Sequence, residues 1–405
     1  MQAAITRARK HMKNDFFAAF VLTIVWQFAL TLIGVFIYYV LVPTFHSTPF
    51  LFDRPTGIEG LFAHTTYWDG GWYQEVANHF YDLARSPAAA AFYPLFPLLL
   101  RIVRLASFDF LSYGAAGIII STVSVWLAIA AFLHISRHLF KELPTRWIVI
   151  ALLLAAPAGF FMHQLYTEAL YIAIGSWAYY FALRRQWQWS ALLIMVLSAS
   201  RITFVLFAAL ISLEFLRSHA WKPLKALTDK QLAWLLLMPI GFLAYGLLLH
   251  IVRGDFFAMF HAYQHEWAYQ KFDPNFILTI LRAGKNGLQC LWGPCNVTDQ
   301  LTNGLLPVVG IILTVAIALA GIFYLKKVYI PLGVMSLLGC IMFTLNSNVV
   351  SVHRYLLPLI GNYLILGAIL EKRQLSWRWL IGPLLLSLGL QMALFCLFVN
   401  GYFAG

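Results

Sequence analysis

An all-helical protein that crosses the membrane many times is what this sequence predicts, on three observations. Of its 405 residues, 61% are hydrophobic and only 11% are charged, against about 25% charged in a soluble domain. The mean hydropathy is +0.76, and the apolar residues fall in long runs whose backbone lipid leaves unsatisfied unless they are helical. The 28 Lys+Arg exceed the 16 Asp+Glu to give +12, and in membrane proteins such an excess collects on the cytoplasmic side. Together these exclude a soluble enzyme, a DNA-binding module and a disordered chain.

The N-terminus carries Arg7, Arg9, Lys10 and Lys13 ahead of an apolar run at 16–42. That run is too long for the roughly 7–15-residue core of a signal peptide, so it reads as a first helix entering from the cytoplasm. An acidic, aromatic stretch follows, and the first extracytoplasmic loop is set at 43–110. Within it, 92–108 contains Pro94, Pro97, Arg101 and Arg104. If it spanned, Arg137, Lys141 and Arg146 would fall outside, so it reads as a re-entrant or interfacial helix. Further spans are expected at 111–135, 147–163, 168–183, 187–200, 202–216, 231–252, 303–325, 328–346, 355–370 and 379–399. The turn near Arg201 keeps Arg217, Lys222, Lys225 and Lys230 inside.

The expectation is about 11 spans (10–13) in a single integral membrane domain over 1–405, with the N-terminus inside. A second extracytoplasmic loop at 253–302 is expected to cap a water-accessible cavity left by the short helices. In this topology the inner segments hold 18 of the 28 Lys+Arg and 5 of the 16 Asp+Glu. The basic excess is therefore a record of orientation and not a sign of nucleic acid.

Polar chemistry concentrates at three places. Tyr67-Trp68-Asp69-Gly70-Gly71-Trp72-Tyr73, followed by Asn78-His79 and by Phe92-Tyr93-Pro94-Leu95-Phe96-Pro97, sets a carboxylate among aromatic rings. Such a carboxylate can accept a proton from a sugar hydroxyl, and aromatic faces suit sugar C–H surfaces. Glu168 follows Tyr166-Thr167 at a helix junction, and an acid at membrane depth is a functional candidate. Arg201 and His353-Arg354-Tyr355 provide the cations that a lipid phosphate requires. His261 and His265 stand at i, i+4, but no further ligand frame completes a metal site, and no nucleotide-binding motif is present.

At these residues the chain resembles the PIG-V type mannosyltransferases (GPI mannosyltransferase II-like) of the GT-C glycosyltransferase class. Four patches in the same order carry the resemblance: Trp68-Asp69 with Tyr73 and Ala77-Asn78-His79; Ala91 to Pro97; Ala156-Pro157-Ala158 with Tyr166-Thr167-Glu168-Ala169-Leu170; and His353-Arg354-Tyr355. Arg201, in Leu197-Ser198-Ala199-Ser200-Arg201, matches the arginine after the next helix. The resemblance implies a GT-C-like fold and transfer of a sugar, mannose in that family, from a polyprenyl phosphate donor such as dolichyl phosphate mannose to a glycolipid or glycan acceptor outside the cytoplasm. It implies that Asp69 is the base. The membrane would be the plasma (inner) membrane of a prokaryote or the ER membrane of a eukaryote.

A glycosyl phosphate brings its own leaving group, so transfer requires a base, a path for the lipid tail and cations for the departing phosphate. The expected roles are Asp69 as base; Arg201, His353, Arg354 and Tyr355 around the phosphate; and Trp68, Trp72, Tyr73, His79 and Glu168 at the sugar. One displacement inverts the anomeric carbon, and no cofactor or metal is expected. The competing readings are a transporter or flippase of lipid-linked substrates, which would favour repeated halves, and a non-catalytic scaffold.

Cys340 and Cys396 sit in apolar runs, whereas Cys290-Leu-Trp-Gly-Pro-Cys295 lies in the second outer loop, where an oxidising compartment permits a disulfide. Thiol titration of unreduced, denatured protein should find two reactive thiols; four would remove the disulfide.

Overall fold

The computed structural model describes residues 2–41, 60–82, 86–266, 271–290, 301–376 and 378–405. Its regular secondary structure is helical, with one isolated β-bridge, between Phe272 and Asn346, among these residues. The helices are α1 (Gln2–Phe36), α2 (Gly60–Ala63), α3 (Asp69–His79), α4 (Leu95–Ala106), α5 (Tyr113–Leu139), α6 (Leu143–Leu154) and α7 (Glu168–Leu183). They continue as α8 (Trp187–Ser198), α9 (Phe204–Ser218), α10 (Pro223–Leu227), α11 (Leu232–Leu235), α12 (Ile240–Arg253), α13 (Ala258–Glu266) and α14 (Phe276–Gln289). The last five are α15 (Leu306–Leu319), α16 (Ile330–Thr344), α17 (Val352–Tyr355), α18 (Ile360–Arg373) and α19 (Arg378–Val399).

Among the described residues, six helical stretches are long and apolar enough to cross a membrane: Asn14–Val40, Tyr113–Leu139, Leu232–Arg253, Leu306–Tyr324, Lys327–Thr344 and Arg378–Val399. The protein is an integral membrane protein. The helices α6, α7, α8, α9 and α18 have 12, 16, 12, 15 and 14 residues. At 1.5 Å per residue they reach about 18–24 Å, short of the roughly 30 Å hydrocarbon core. The expected run at 147–163 is thus interrupted: α6 stops at Leu154, ahead of Pro157, and a 3₁₀ turn covers Gly159–His163. Likewise α17 and α18 are parted at Pro358, so His353-Arg354-Tyr355 forms its own turn and not the start of a long helix. Proline cannot donate to the helical ladder, and it disfavours helical geometry in the residue before it.

Irregular backbone within a membrane protein is stable only where neighbours satisfy its polar groups, and here side chains do so. Gln391 of α19 donates to the carbonyls of Leu154 and Ala156 at 2.9 and 2.7 Å, and Ser387 to that of Ala155 at 2.7 Å. Ser121 of α5 donates to Gln164 O at 2.9 Å, and the Leu165 N–H to Thr65 O at 3.0 Å. The break after α8 is held by the Leu95 N–H on Ala199 O at 3.0 Å and the Tyr171 hydroxyl on Thr203 O at 2.6 Å. Tyr363 donates to Leu357 O at 2.9 Å in the third break.

The ends of the helices sort into two groups. At one end Asp15 of α1 pairs with Arg137 at 2.6 Å and His134 at 3.3 Å on α5, while Glu371 accepts from the N–H groups of Lys141 and Glu142 at 3.0 and 3.3 Å. Asp15, Arg137, Lys141, Glu142 and Glu371 all carry an inner assignment in the charge-based topology. Asp69, Glu168, Arg201 and Arg354 meet at the other end. The 12-residue α4 follows Pro94 and buries Phe96 and Leu100; Arg101 donates to Ala77 O at 3.1 Å, and Ile102 and Leu105 are exposed. Cys290 is disulfide-bonded, Cys340 and Cys396 are free thiols, and Cys295 lies outside the described residues. Residues 43–59 of the first outer loop and 291–300 of the second also lie outside them.

Candidate active site

Four charged side chains from four separate segments meet at the broken helix ends. Arg201 Nη1 donates to Glu168 Oε1 at 2.8 Å, and Arg354 Nε stands 3.3 Å from the same oxygen. Arg354 Nη2 pairs with Asp69 Oδ2 at 2.8 Å. The side chains of Glu168 and Arg354 are 1% and 5% exposed, those of Arg201 and Asp69 14% and 25%. Two acids and two arginines leave the cluster neutral, a condition for burying charge at all. Asp69 and Arg201 form its open edge.

Each member is fixed by its own local structure. Asp69 opens α3 behind Trp68, whose φ of 55° and ψ of −118° lie where a side chain is strained, at a cost of about 1–3 kcal/mol. The Asp69 N–H donates to the Tyr166 hydroxyl at 3.2 Å, which in turn donates to Tyr67 O at 3.1 Å. Tyr166 therefore ties the Trp68-Asp69 turn to the stretch that carries Glu168. Gly70 permits the same approach: a Cβ there would meet Thr65 O at 3.0 Å and Leu165 O at 3.5 Å. Glu168 is the first residue of α7, where the helix dipole favours an acid.

Aromatic rings enclose the arginines. The Arg354 guanidinium lies 5.0, 5.2 and 5.3 Å from the ring centres of Tyr355, Tyr166 and Phe161, and that of Arg201 lies 5.4 Å from Tyr355 and 6.0 Å from Tyr171. Tyr355 thus touches both cations. A small pocket beside Arg201 is lined by Tyr171, Thr203, Leu206, Phe343, Tyr355 and Pro358. Its wall is apolar apart from the arginine and a few hydroxyls.

Not every expected residue joins this cluster. Tyr73 does: it is buried, shares a hydrogen bond with Thr167 at 3.4 Å and packs edge-on against Phe92 and Phe96. Trp72 stacks on Phe92 at 5.7 Å, and Trp68 meets Phe403 edge-on at 5.1 Å. The Phe92-Tyr93-Pro94 patch is therefore a platform for α3. His79 ends α3, about 15 Å along the axis from Asp69 at 1.5 Å per residue. The His353 ring is buried and donates from Nε2 to Ala404 O at 2.9 Å, and Arg354 Nη1 reaches Gly405 O at 3.5 Å.

Two contributors had no signal in the sequence. Residues 400–405 fold back against Trp68, His353 and Arg354. Tyr263, on α13 of the second outer loop, interacts electrostatically with Tyr355, Asp69, Arg201 and Tyr73, and burial raises its phenol pKa. The second loop therefore reaches the site. Among the described residues no group of three or more His, Cys, Asp and Glu gathers to hold a metal ion.

Losing Glu168 would leave two buried guanidiniums sharing one acid, a break worth about 3–5 kcal/mol in other proteins. Glu168→Gln should lower the thermal unfolding midpoint in detergent clearly, and adding Arg201→Gln should recover part of the loss. An unchanged midpoint in the single variant would refute the pairing.

No family model matches this sequence and no curated protein matches it, so the PIG-V resemblance rests on the quoted patches. The fold is similar to that of ArnT from Cupriavidus metallidurans, solved bound to undecaprenyl phosphate, with a TM-score of 0.54 and 14% sequence identity. The alignment covers 93% of this chain and 63% of that one, so the chain spans less than two thirds of its neighbour's length. The likeness establishes an all-helical, GT-C-like membrane fold.

Proposed function

We propose that this protein is a glycosyltransferase that takes a sugar from a polyprenyl phosphate donor and passes it to a hydroxyl of a lipid-linked or glycan acceptor at the extracytoplasmic face. The observation that carries the reading is the neutral cluster of Asp69, Glu168, Arg201 and Arg354, whose Arg201 borders a small apolar pocket. The two guanidiniums are donors of the kind that an anionic head requires, and the pocket beside Arg201 is lined by apolar side chains. The similarity to a protein solved with undecaprenyl phosphate supports the same donor class. The PIG-V resemblance suggests mannose as the sugar and the plasma (inner) or ER membrane as the site.

The reaction divides among the residues as follows. Arg201 and Arg354 hold the donor phosphate, with Tyr355 between their faces, and stabilise the charge that grows on the leaving oxygen. Asp69 removes the proton from the acceptor hydroxyl as its oxygen bonds to the anomeric carbon, whose bond to the phosphate oxygen breaks with inversion. Trp68, Trp72 and Tyr73 pack the sugar. Glu168 holds both arginines in place, a change from the hydroxyl-orienting role that sequence suggests. His353 anchors residues 400–405 beside the phosphate-binding arginine. The two guanidiniums supply the charge that the leaving group requires, so the reading calls for no metal ion.

Full-length protein in lipid nanodiscs, given polyprenyl phosphate mannose and a lipid extract as acceptor, tests this directly. Asp69→Asn should lower turnover by about 10²–10⁴-fold while polyprenyl phosphate still binds. Full activity in that variant would contradict the base assignment.

A further inference from the structure

Arg354 is shared between the two acids, and only one of them is within reach of solvent and substrate. Its Nη2 pairs with Asp69 at 2.8 Å while Nε faces Glu168 at 3.3 Å. Asp69, 25% exposed, is the partner that substrate can reach; Glu168, 1% exposed, is the fixed one. The proposed base is thus engaged by the guanidinium that must also meet the phosphate.

From this arrangement we infer that Arg354 exchanges Asp69 for the phosphate during each turnover, so that the leaving phosphate gains its second charge as Asp69 loses its own. The inference rests on the donor class proposed above. The balance is closed. The acceptor O–H bond breaks and its proton passes to Asp69, which goes from −1 to neutral. The acceptor oxygen bonds to the anomeric carbon, and the C–O bond to the phosphate breaks with its electron pair going to the phosphate oxygen. A phosphodiester of charge −1 becomes a phosphomonoester of charge −2. The total charge beside Arg201, Arg354 and Glu168 is the same before and after, and no charge has to enter or leave a buried site during the step.

The exchange also links product to proton. With the monoester dianion on Arg354, Asp69 loses its guanidinium and gains an anionic neighbour, and both changes favour its protonated form. When that proton leaves, the re-formed carboxylate reclaims Arg354 and displaces the polyprenyl phosphate. The other charged or titratable groups around Asp69 are Glu168 and Arg201, the phenols of Tyr73, Tyr166, Tyr263 and Tyr355, and His353 behind Arg354. None of these exchanges a partner with Arg354 in the proposed cycle.

The test compares two soluble probes on full-length protein in nanodiscs, by calorimetry at pH 7.5 in buffers of different ionisation enthalpy. Citronellyl phosphate is a monoester and citronellyl methyl phosphate a diester. The monoester should bind with uptake of about one proton and lose affinity by up to about tenfold per pH unit as pH rises; the diester should bind with neither effect. In Asp69→Asn the monoester should bind without this uptake, and more tightly than wild type at high pH. Equal proton uptake for both probes in wild type, no uptake for either, or uptake that survives in Asp69→Asn would overturn the exchange. Failure of wild type to bind either probe would instead overturn the donor class on which it rests.

Discussion

The buried carboxylate of Glu168 is the constraint on which the rest of the site depends. A single oxygen of this side chain faces Arg201 and Arg354 at 2.8 and 3.3 Å. Without it, two largely buried guanidiniums would stand together with only Asp69 to balance them. Burying ions costs several kcal/mol apiece and is tolerated only with close partners and good geometry. Glu168 provides that partner from the first turn of α7, where the helix dipole also favours an acid.

The broken helices follow from the same need. A continuous helix through residues 155–167 would carry Glu168 elsewhere, and a continuous helix through 356–359 would carry Arg354 away from it. Prolines 157 and 358 stop the helices, and Gln391, Ser387, Ser121 and Tyr363 satisfy the carbonyls that the breaks release. Fold stability and site geometry are thus supplied by the same contacts. The opening at Asp69 and Arg201 is where the neutral cluster remains accessible.

Much of this is legible in the sequence, because burial of charge is rare in an apolar chain. Glu168 and Arg201 stand out by being charged beside hydrophobic runs, Asp69 by its aromatic setting and Arg354 by the His353-Arg354-Tyr355 patch, and the charge-based topology sets all four on the same side. The turn near Arg201 follows from the charge balance alone. What the sequence hides are the through-space pairings. Residue types do not reveal that Arg354 joins Asp69 to Glu168, since their separations along the chain reflect the intervening helices. The Tyr166 hydroxyl bridge, the approach of Tyr263 and the return of residues 400–405 to His353 are hidden for the same reason. His79 misleads in the opposite way: it is close to Asp69 in sequence but lies at the far end of the same helix.

The central claim is that the two arginines beside Glu168 receive the phosphate of a polyprenyl carrier. Cryo-electron microscopy of the full-length protein in nanodiscs with undecaprenyl phosphate tests it most directly. The account predicts phosphate density in contact with both Arg201 and Arg354, the tail lying along Tyr171, Leu206 and Phe343, and the Arg354–Asp69 contact opened. Phosphate density elsewhere, with the four-residue cluster unchanged, would contradict it.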